Sequence, residues 1–174
     1  SLVAAMYALY GPTTTLVAGV DGRTHEFILD GARNWILKTE DIKMKEMGEI
    51  YSPGGLRKDW SDKHKAFIES LESKGCKLRY SGALVADINQ MLMKRGGIFS
   101  YPGSEKDPHG KLRLLFELQP MARILENAGG RATDGLEDIL DLFPEKLNQR
   151  SAFYGGSKGE VDMAFDYLKG LPSK

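Results

Sequence analysis

Extended and helical sequence patterns alternate along this chain, with Gly or Pro at most of the breaks between them. Residues 13–20 predict a strand and Asp21-Gly22 a turn into a second strand, so the two strands should form a hairpin. Residues 61–73 and 83–94 instead place their apolar side chains at helical spacing. Alternation of this kind is typical of sheets that are covered by helices. We therefore predict an α/β fold, a layered α/β sandwich in which helices flank a mixed sheet.

Four further segments give weaker patterns. Residues 2–10 are rich in Ala, which favours the end of a helix. Residues 111–127 form a long apolar stretch that is helical beyond its proline. An acidic group within residues 134–141 is spaced so that its charges would spread around a helix exposed to solvent. The segment Ser157-Lys-Gly-Glu160 has the spacing of a capping box and predicts the start of the last helix.

Length and charge exclude several classes of protein. The chain has 174 residues, with 24 Lys and Arg balanced by 24 Asp and Glu. This length supports one domain with its own core, and the neutral balance argues against non-specific nucleic-acid binding. The single Cys76 excludes an internal disulfide and favours a reducing compartment, so we expect a cytoplasmic protein. Gly11-Pro12 divides the uncharged residues 1–20, which argues against a membrane span.

Residues 110–117, GKLRLLFE, place two cations before a carboxylate in an otherwise apolar stretch. If this segment is extended, Lys111 and Arg113 share one side of it and could hold one anion. Glu117 lies among apolar residues, where an ionised carboxylate is costly to bury unless a cation or a metal compensates it. An ordinary helix with solvated charges is the alternative that this local pattern leaves open.

Two other segments carry groups that suit a phosphate ligand. Arg79 and Tyr80 offer a guanidinium fork and a directional phenol to phosphate oxygens. Tyr101 ends a predicted strand, and strand ends are where α/β proteins place binding groups. Exposed surface residues at positions 79 and 80, and a half-buried aromatic at 101, are the alternatives. Residues 155–158 lack the spacing of a phosphate-binding loop, and the three histidines lack the spacing of metal ligands.

Four blocks of the sequence together resemble the C-terminal half of class I fructose-1,6-bisphosphatases, in the order and at close to the spacing of that family. The resemblance extends over nearly the whole chain and implies that residues 1–174 are a single sugar-phosphate-binding domain. Residues 1–20 would then be the tail of a missing N-terminal metal- and AMP-binding domain, which fits a start at Ser1 without an initiator methionine. The blocks are YALYG (7–11), LRYSGALVAD (78–87), GGIFSYP (96–102) and GKLRLLFELQPMARILENAGG (110–130).

The resemblance implies hydrolysis of the 1-phosphate of fructose 1,6-bisphosphate to fructose 6-phosphate, a step of gluconeogenesis, with Mg²⁺ or Mn²⁺ as cofactor. It also implies a homo-oligomer, a tetramer, in the full-length form, while charge and the first 20 residues already argue against a nucleic-acid or membrane partner. The Asp-Pro-x-Asp-Gly motif of the family and its other acidic segments belong to its N-terminal half, so we expect this chain alone to be inactive. A sedoheptulose-1,7-bisphosphatase and a non-catalytic sugar-phosphate-binding or assembly domain stay open as alternatives.

The family motifs also imply roles for residues in the sugar site. Lys111, Tyr80 and Tyr101 match positions that contact the sugar and its 6-phosphate. Leu84 matches a position where a backbone contact to the sugar is expected. The resemblance assigns no certain catalytic residue to this half of the family.

Three further residues match positions that serve the reacting phosphate, the metal or a second subunit. Arg113 matches a residue near the 1-phosphate, and Glu117 matches a carboxylate that coordinates metal. Arg79 matches an arginine that reaches into the site of a neighbouring subunit. Residues 52–55, SPGG, are one residue shorter than the family pattern and lack its Asn contact to the 6-phosphate. The backbone amides of residues 54–55, or Arg57, could replace that contact.

Overall fold

The structure is a computed structural model and describes residues 2–94 and 96–170. Two larger sheets and four α-helices make up most of it, which confirms the predicted layered α/β sandwich with a mixed sheet flanked by helices. The strands are β1 (Ala4–Leu9), β2 (Thr15–Val20), β3 (Arg23–Leu29), β4 (Trp35–Thr39), β5 (Ile50–Pro53), β6 (Lys77–Leu78), β7 (Ile98–Tyr101), β8 (Leu112–Arg113), β9 (Arg131–Thr133), β10 (Arg150–Ser151) and β11 (Phe153–Gly156). The helices are α1 (Asp62–Ser73), α2 (Leu84–Lys94), α3 (Gln119–Asn127) and α4 (Lys158–Lys169), with a 3₁₀ turn at Arg57–Asp59 and a π-helix at Leu114–Leu118.

The first sheet is antiparallel, in the order β1-β2-β3-β4. The predicted hairpin joins β2 to β3, and its two turn residues, Asp21 and Gly22, both have positive φ, as a tight hairpin turn requires. Helix α3 packs against this sheet, and Thr24 donates a hydrogen bond from its hydroxyl to the Ile124 carbonyl at 2.7 Å. The sheet is thereby fixed to the rest of the core.

The prediction of a helix end at residues 2–10 was wrong, because this segment contains strand β1. Ala5 and Tyr7 are buried while Ala4 and Met6 are exposed, which is the alternation of a strand. All six residues of β1 pair with β2. Pairing along the whole segment therefore outweighs the helix propensity of its alanines.

The second sheet is mixed, in the order β6-β5-β7-β11-β9. Strands β5, β6 and β7 are parallel, so their carboxyl ends meet at one edge of the sheet. Helices α2 and α3 pack on one face of this sheet, and α1 and α4 pack on the other. Consecutive residues of β5 show this division, since Ile50 is buried beside α2 and α3 while Tyr51 is buried beside α1 and α4.

The start of α4 falls where the sequence predicted it, but the capping box did not form. The Ser157 hydroxyl accepts a hydrogen bond from the Gly97 amide at 3.0 Å instead of from its own helix. The Glu160 carboxylate likewise accepts from the Gly48 amide. Both side chains thus tie the start of α4 to neighbouring loops, which local spacing could not reveal.

The acidic group within residues 134–141 does not lie on a helix, which corrects a second local prediction. This segment forms turns, and Asp138 pairs with Arg131 at 2.7 Å. Leu136 and Glu137 donate their backbone amides to the Asp134 carboxylate. Such local side-chain bonds to the backbone favour turns over helices. Across the described residues, no helix is both long and apolar enough to cross a membrane.

Candidate functional site

A recess of about 450 Å³ opens at the shared carboxyl edge of β5, β6 and β7. Tyr80, Tyr101 and Lys111 line it, and these are the three residues expected to contact the sugar and its 6-phosphate. Tyr80 follows β6, Tyr101 ends β7 and Lys111 precedes β8. We call this cavity the tyrosine recess. Its position agrees with the general placement of ligands at the carboxyl ends of parallel strands.

The loop of residues 102–110 brings Lys111 to the recess. The Gly110 and Ser104 backbone amides both donate hydrogen bonds to the Asp107 carbonyl, at 2.8 and 3.0 Å. Gly110 has a φ of +75°, and a Cβ atom there would lie only 2.6 Å from the Ser151 carbonyl oxygen. The chain can therefore pass β10 this closely only with glycine at position 110.

Glycine also positions Tyr101. A Cβ atom at Gly54 would overlap the Tyr101 ring, so the ring lies directly against the Gly54 backbone. The Gly54 amide donates to the Ser100 carbonyl at 2.7 Å, and its carbonyl accepts from the Trp60 indole at 3.0 Å. Hydrogen bonds therefore fix both the N–H and the C=O of Gly54, the residue under the ring.

Tyr80 as a residue is 44% exposed, and its phenol stays protonated at neutral pH. Burial is the main reason why its pKa is raised, and the nearby Tyr101 and Asp87 add to the effect. The Gly55 backbone amide acts in the opposite direction. A neutral phenol at this place can donate a hydrogen bond to an oxyanion.

The segment that carries Tyr80 is fixed by two side chains from neighbouring elements. The buried Asp87 carboxylate accepts a hydrogen bond from the Ser81 amide at 2.9 Å. The Ser52 hydroxyl donates to the Arg79 carbonyl. The phenol therefore projects from a backbone that is held on both sides of it.

Sequence reasoning missed several residues that line the recess. Lys106 adds a second ammonium group, Asp59 and Asp107 add carboxylates, and Trp60 adds an apolar wall. All lie in loops or at turn ends, where neither strand nor helix periodicity marks a residue as pointing inward. The recess can therefore bind an anion on its lysines and the apolar face of a sugar on its aromatic rings.

The structure shows which groups border the recess among the three that could replace the family's Asn contact to the 6-phosphate, namely the amides of residues 54 and 55 and the Arg57 side chain. The Gly54 amide already bonds Ser100, and Arg57 pairs with Glu69 at 2.8 Å and lies over the Trp60 ring. Neither lines the tyrosine recess, whereas Gly55 does. Of these candidates, Gly55 is therefore the one whose backbone borders the recess, next to the Tyr80 phenol.

Three predicted substrate-binding residues lie outside this recess. The Arg79 side chain lines a different cavity, and its guanidinium donates to the Leu78 carbonyl at 2.7 Å. Leu84 is the first residue of α2 and packs partly buried against the main core. Arg113 is exposed, with its guanidinium 5.5 Å from the centre of the Phe116 ring.

Glu117, the predicted metal ligand, lies on the π-helix between β8 and α3. One of its carboxylate oxygens accepts a hydrogen bond from the Arg113 amide at 2.6 Å, which leaves the other available to a cation. Mg²⁺ prefers six oxygen ligands. The described residues contain no group of three or more His, Cys, Asp or Glu that could hold a metal. Glu117 thus fits as one ligand of a site that needs further oxygen donors.

Comparison of the sequence with known proteins identifies the family of this chain. A family model described as fructose-1,6-bisphosphatase, C-terminal domain, matches residues 44–169. A curated relative from Geobacter sulfurreducens is 51% identical over 168 residues, which cover 97% of this chain and 54% of the relative. A relative from Geotalea uraniireducens is 52% identical over 95% of this chain and 53% of its own length.

A relative from Trichlorobacter lovleyi is 50% identical over 98% of this chain and 54% of its own length. All three relatives are named fructose-1,6-bisphosphatase class 1. The chain spans about half the length of the curated relatives it matches. On these matches, the chain belongs to the fructose-1,6-bisphosphatase family, by the C-terminal domain of that family.

Proposed function

We propose that this chain is the substrate-binding half of a metal-dependent fructose-1,6-bisphosphatase. The complete protein would hydrolyse the 1-phosphate of fructose 1,6-bisphosphate to fructose 6-phosphate, in the cytoplasm and as a step of gluconeogenesis. The observation that carries the proposal is the meeting of Lys111, Tyr80 and Tyr101 in one recess, although they are far apart in sequence. The names of the relatives support the reaction.

In this proposal the tyrosine recess binds the part of the substrate that does not react. The Lys111 ammonium pairs with the 6-phosphate, and the phenols of Tyr80 and Tyr101 donate hydrogen bonds to it and to the sugar. Leu84 would offer a backbone group to the sugar, and Arg113 would lie near the 1-phosphate. Binding energy at the remote phosphate is then used to position the reacting one.

The proposed cofactor is Mg²⁺ or Mn²⁺, held in part by Glu117. When bound, such an ion neutralises phosphate oxygens and activates water for attack. Glu117 alone supplies too little charge to hold it. We therefore propose that most metal ligands come from the half of the protein that this chain does not include, and that the isolated chain does not turn over.

Assembly is part of the proposal, with a homotetramer as the active form. We propose that Arg79 of one copy reaches the tyrosine recess of a neighbouring copy. The Arg79 side chain points away from the recess of its own chain, which supports a role elsewhere.

Two alternatives remain as competing proposals. A sedoheptulose-1,7-bisphosphatase is one alternative, because the segment at residues 52–55 is shorter than the family pattern and lacks its Asn contact to the far phosphate, while the Gly55 backbone lines the recess. A non-catalytic sugar-phosphate-binding or assembly domain would have the same recess but no turnover.

Phosphate release with Mg²⁺ distinguishes these proposals. We expect a longer protein that joins this chain to the remaining half of its relatives to hydrolyse fructose 1,6-bisphosphate, and the 174-residue chain to be inactive. Glu117→Gln in the longer protein should lower the metal-dependent rate. No turnover by the longer protein would overturn the enzyme assignment, and a preference for sedoheptulose 1,7-bisphosphate would select the first alternative.

A further inference from the structure

Trp60 is a buried aromatic residue in the wall of the tyrosine recess. It immediately precedes Ser61, the cap of α1. The His64 ring lies perpendicular to the indole, with the two ring centres 4.8 Å apart. The Trp60 backbone amide also donates to the Arg57 carbonyl at 3.3 Å. The start of α1 therefore fixes the indole before any ligand binds.

The two glycines after β5 connect this indole to Tyr101. A Cβ atom at Gly54 would overlap the Tyr101 ring, whereas one at Gly55 would lie 3.3 Å from the Trp60 Nε1 atom. The Trp60 Nε1–H group donates to the Gly54 carbonyl at 3.0 Å, in a buried hydrogen bond. One short piece of backbone therefore contacts both aromatic side chains, and both of them line the recess.

The indole N–H determines the orientation of the peptide group that follows Gly54. Without this donor, the Gly54 carbonyl would be buried and unpaired, which is unfavourable. The peptide group would then rotate toward water or toward another donor. Because the Tyr101 ring lies directly against Gly54, this rotation would move the ring.

We propose that Trp60 is a positioning residue, which holds the Tyr101 ring in place through the backbone of residues 54–55 and thereby sets the affinity of the tyrosine recess. This inference rests on the proposed sugar-phosphate site, in which Tyr101 is one of the three expected contacts. Trp60 acts through Tyr101 and not through a hydrogen bond of its own to the substrate. Its single N–H donor is already bonded to a carbonyl.

The first test uses the unmodified 174-residue chain without a ligand. Its two tryptophans, Trp35 and Trp60, give two indole N–H signals in an NMR spectrum. We expect the Trp60 signal to exchange with solvent about tenfold or more slowly than the signal of Trp35, which is 44% exposed. Equal exchange rates would show that the bond to Gly54 does not persist, and would overturn the inference.

The second test removes the N–H group and keeps an aromatic wall, by Trp60→Phe. In the free chain, the nuclear Overhauser contact between the Tyr101 ring and the Gly54 α protons should weaken. Phe67→Leu is the control for a general loss of packing, because Phe67 is buried on α1 outside the recess lining. It should leave this contact unchanged. An unchanged contact in Trp60→Phe would contradict the inference.

The third test measures the affinity for fructose 6-phosphate by titration calorimetry. Trp60→Phe should weaken binding about three- to tenfold, as expected for the loss of one hydrogen bond. In a Tyr101→Ala background the same change should weaken binding less than about twofold, because no ring is left to position. Trp35→Phe on β4 is the matched control and should leave the affinity unchanged.

The outcomes separate this inference from the proposed function. If the losses from Trp60→Phe and Tyr101→Ala are additive, Trp60 acts independently of Tyr101, and the inference fails while the proposed function stands. If the unmodified chain does not bind fructose 6-phosphate, the proposed sugar-phosphate site fails, and the role of Trp60 in binding fails with it.

Discussion

Lys111 and Arg113 are close in sequence but are proposed to serve opposite ends of the substrate, the 6-phosphate and the 1-phosphate. Lys111 lines the tyrosine recess, whereas Arg113, two residues later, is exposed and lies over Phe116. Alternation along a fully extended segment would place residues 111 and 113 on one side, but β8 begins only at Leu112 and the chain turns into a π-helix at Leu114. The two cations expected to act together on one anion therefore lie in different surroundings.

Replacing Lys111 by Ala should weaken binding of fructose 6-phosphate to the chain about 10- to 100-fold, because a hydrogen bond to a charged partner contributes about 1.5–3 kcal/mol. Isothermal titration calorimetry would measure the loss. Lys111→Arg should retain most of the affinity, since it keeps the charge. An unchanged affinity in Lys111→Ala would show that the phosphate binds elsewhere.

His64 makes stability depend on pH. Its ring is fully buried, its Nδ1 atom lies 3.1 Å from the Tyr154 hydroxyl, and burial lowers its pKa to about 4. The unfolded chain, with a pKa near 6.5, binds the proton first as the pH falls. The contribution of neutral His64 is therefore complete above pH 6.5 and is lost between pH 6.5 and about 4.

As the pH falls from 7 to 4, the free energy of unfolding should decrease less for His64→Asn than for the parent. The difference should reach up to about 3 kcal/mol. Urea unfolding at several pH values would measure this difference. The exposed His109→Asn serves as the control and should follow the parent. Parallel curves for His64→Asn and the parent would contradict a buried neutral His64.

Residue types alone could predict only part of the site. The resemblance grouped Lys111, Tyr80 and Tyr101, and the structure brings these three to one cavity. The resemblance did not identify Lys106, because this residue lies in a loop whose shape depends on hydrogen bonds to the Asp107 carbonyl. The direction of a loop side chain follows from tertiary contacts and not from local periodicity.

At the scale of elements, the loop that follows β5 controls the tyrosine recess. The Gly54 backbone lies against the Tyr101 ring, and the loop is tied to Ser100 and Trp60 by hydrogen bonds. This contact explains the glycine at position 54, where a Cβ atom would overlap the ring. The loop supports the ring through backbone contact.

Gly54→Ala should displace the Tyr101 ring and weaken fructose 6-phosphate binding about 10-fold, as expected for loss of one well-placed hydrogen bond together with its support. Titration calorimetry would measure the affinity, and circular dichroism would check that the fold is retained. Gly31→Ala is the control, because no atom lies within 4 Å of a Cβ placed there. Equal affinities of Gly54→Ala and Gly31→Ala would show that the Tyr101 ring does not depend on Gly54.

The elements that the sequence predicted well are those with a full amphipathic period. Helix α1 begins after its Ser61 cap and buries Phe67, Ile68 and Leu71, as the spacing indicated. Strand β1 was mistaken for helix because six residues, several of them Ala, carry little periodic signal. The π-helix at Leu114–Leu118 has no sequence signature of this kind, since it depends on how α3 joins β8.

At the scale of the whole molecule, the expected domain boundary near residue 20 stays a prediction. A boundary there would separate β2 from its hairpin partner β3. The family model begins to match at residue 44, beyond the end of β4 at Thr39. We expect residues 4–39 to remain one sheet in the complete protein.

Sharing of sites between copies gives a test of assembly. In the longer protein, Arg79→Ala and Lys111→Ala should each weaken substrate binding. If Arg79 serves the neighbouring copy, mixed pairs of the two variants contain one intact site, so random mixing should restore about a quarter of the sites. Steady-state activity at limiting substrate would measure the recovery. If mixing restores no activity, Arg79 acts within its own chain.

The tyrosine recess is the centre of this account, and the 174-residue chain allows it to be tested directly. The measurement is an NMR titration of the chain with fructose 6-phosphate. We predict saturable shifts at the amides of Gly55, Tyr80, Tyr101 and Lys111, which surround the recess. Saturable shifts confined to other parts of the chain, or none at all, would contradict the assignment of this recess as the sugar-phosphate site.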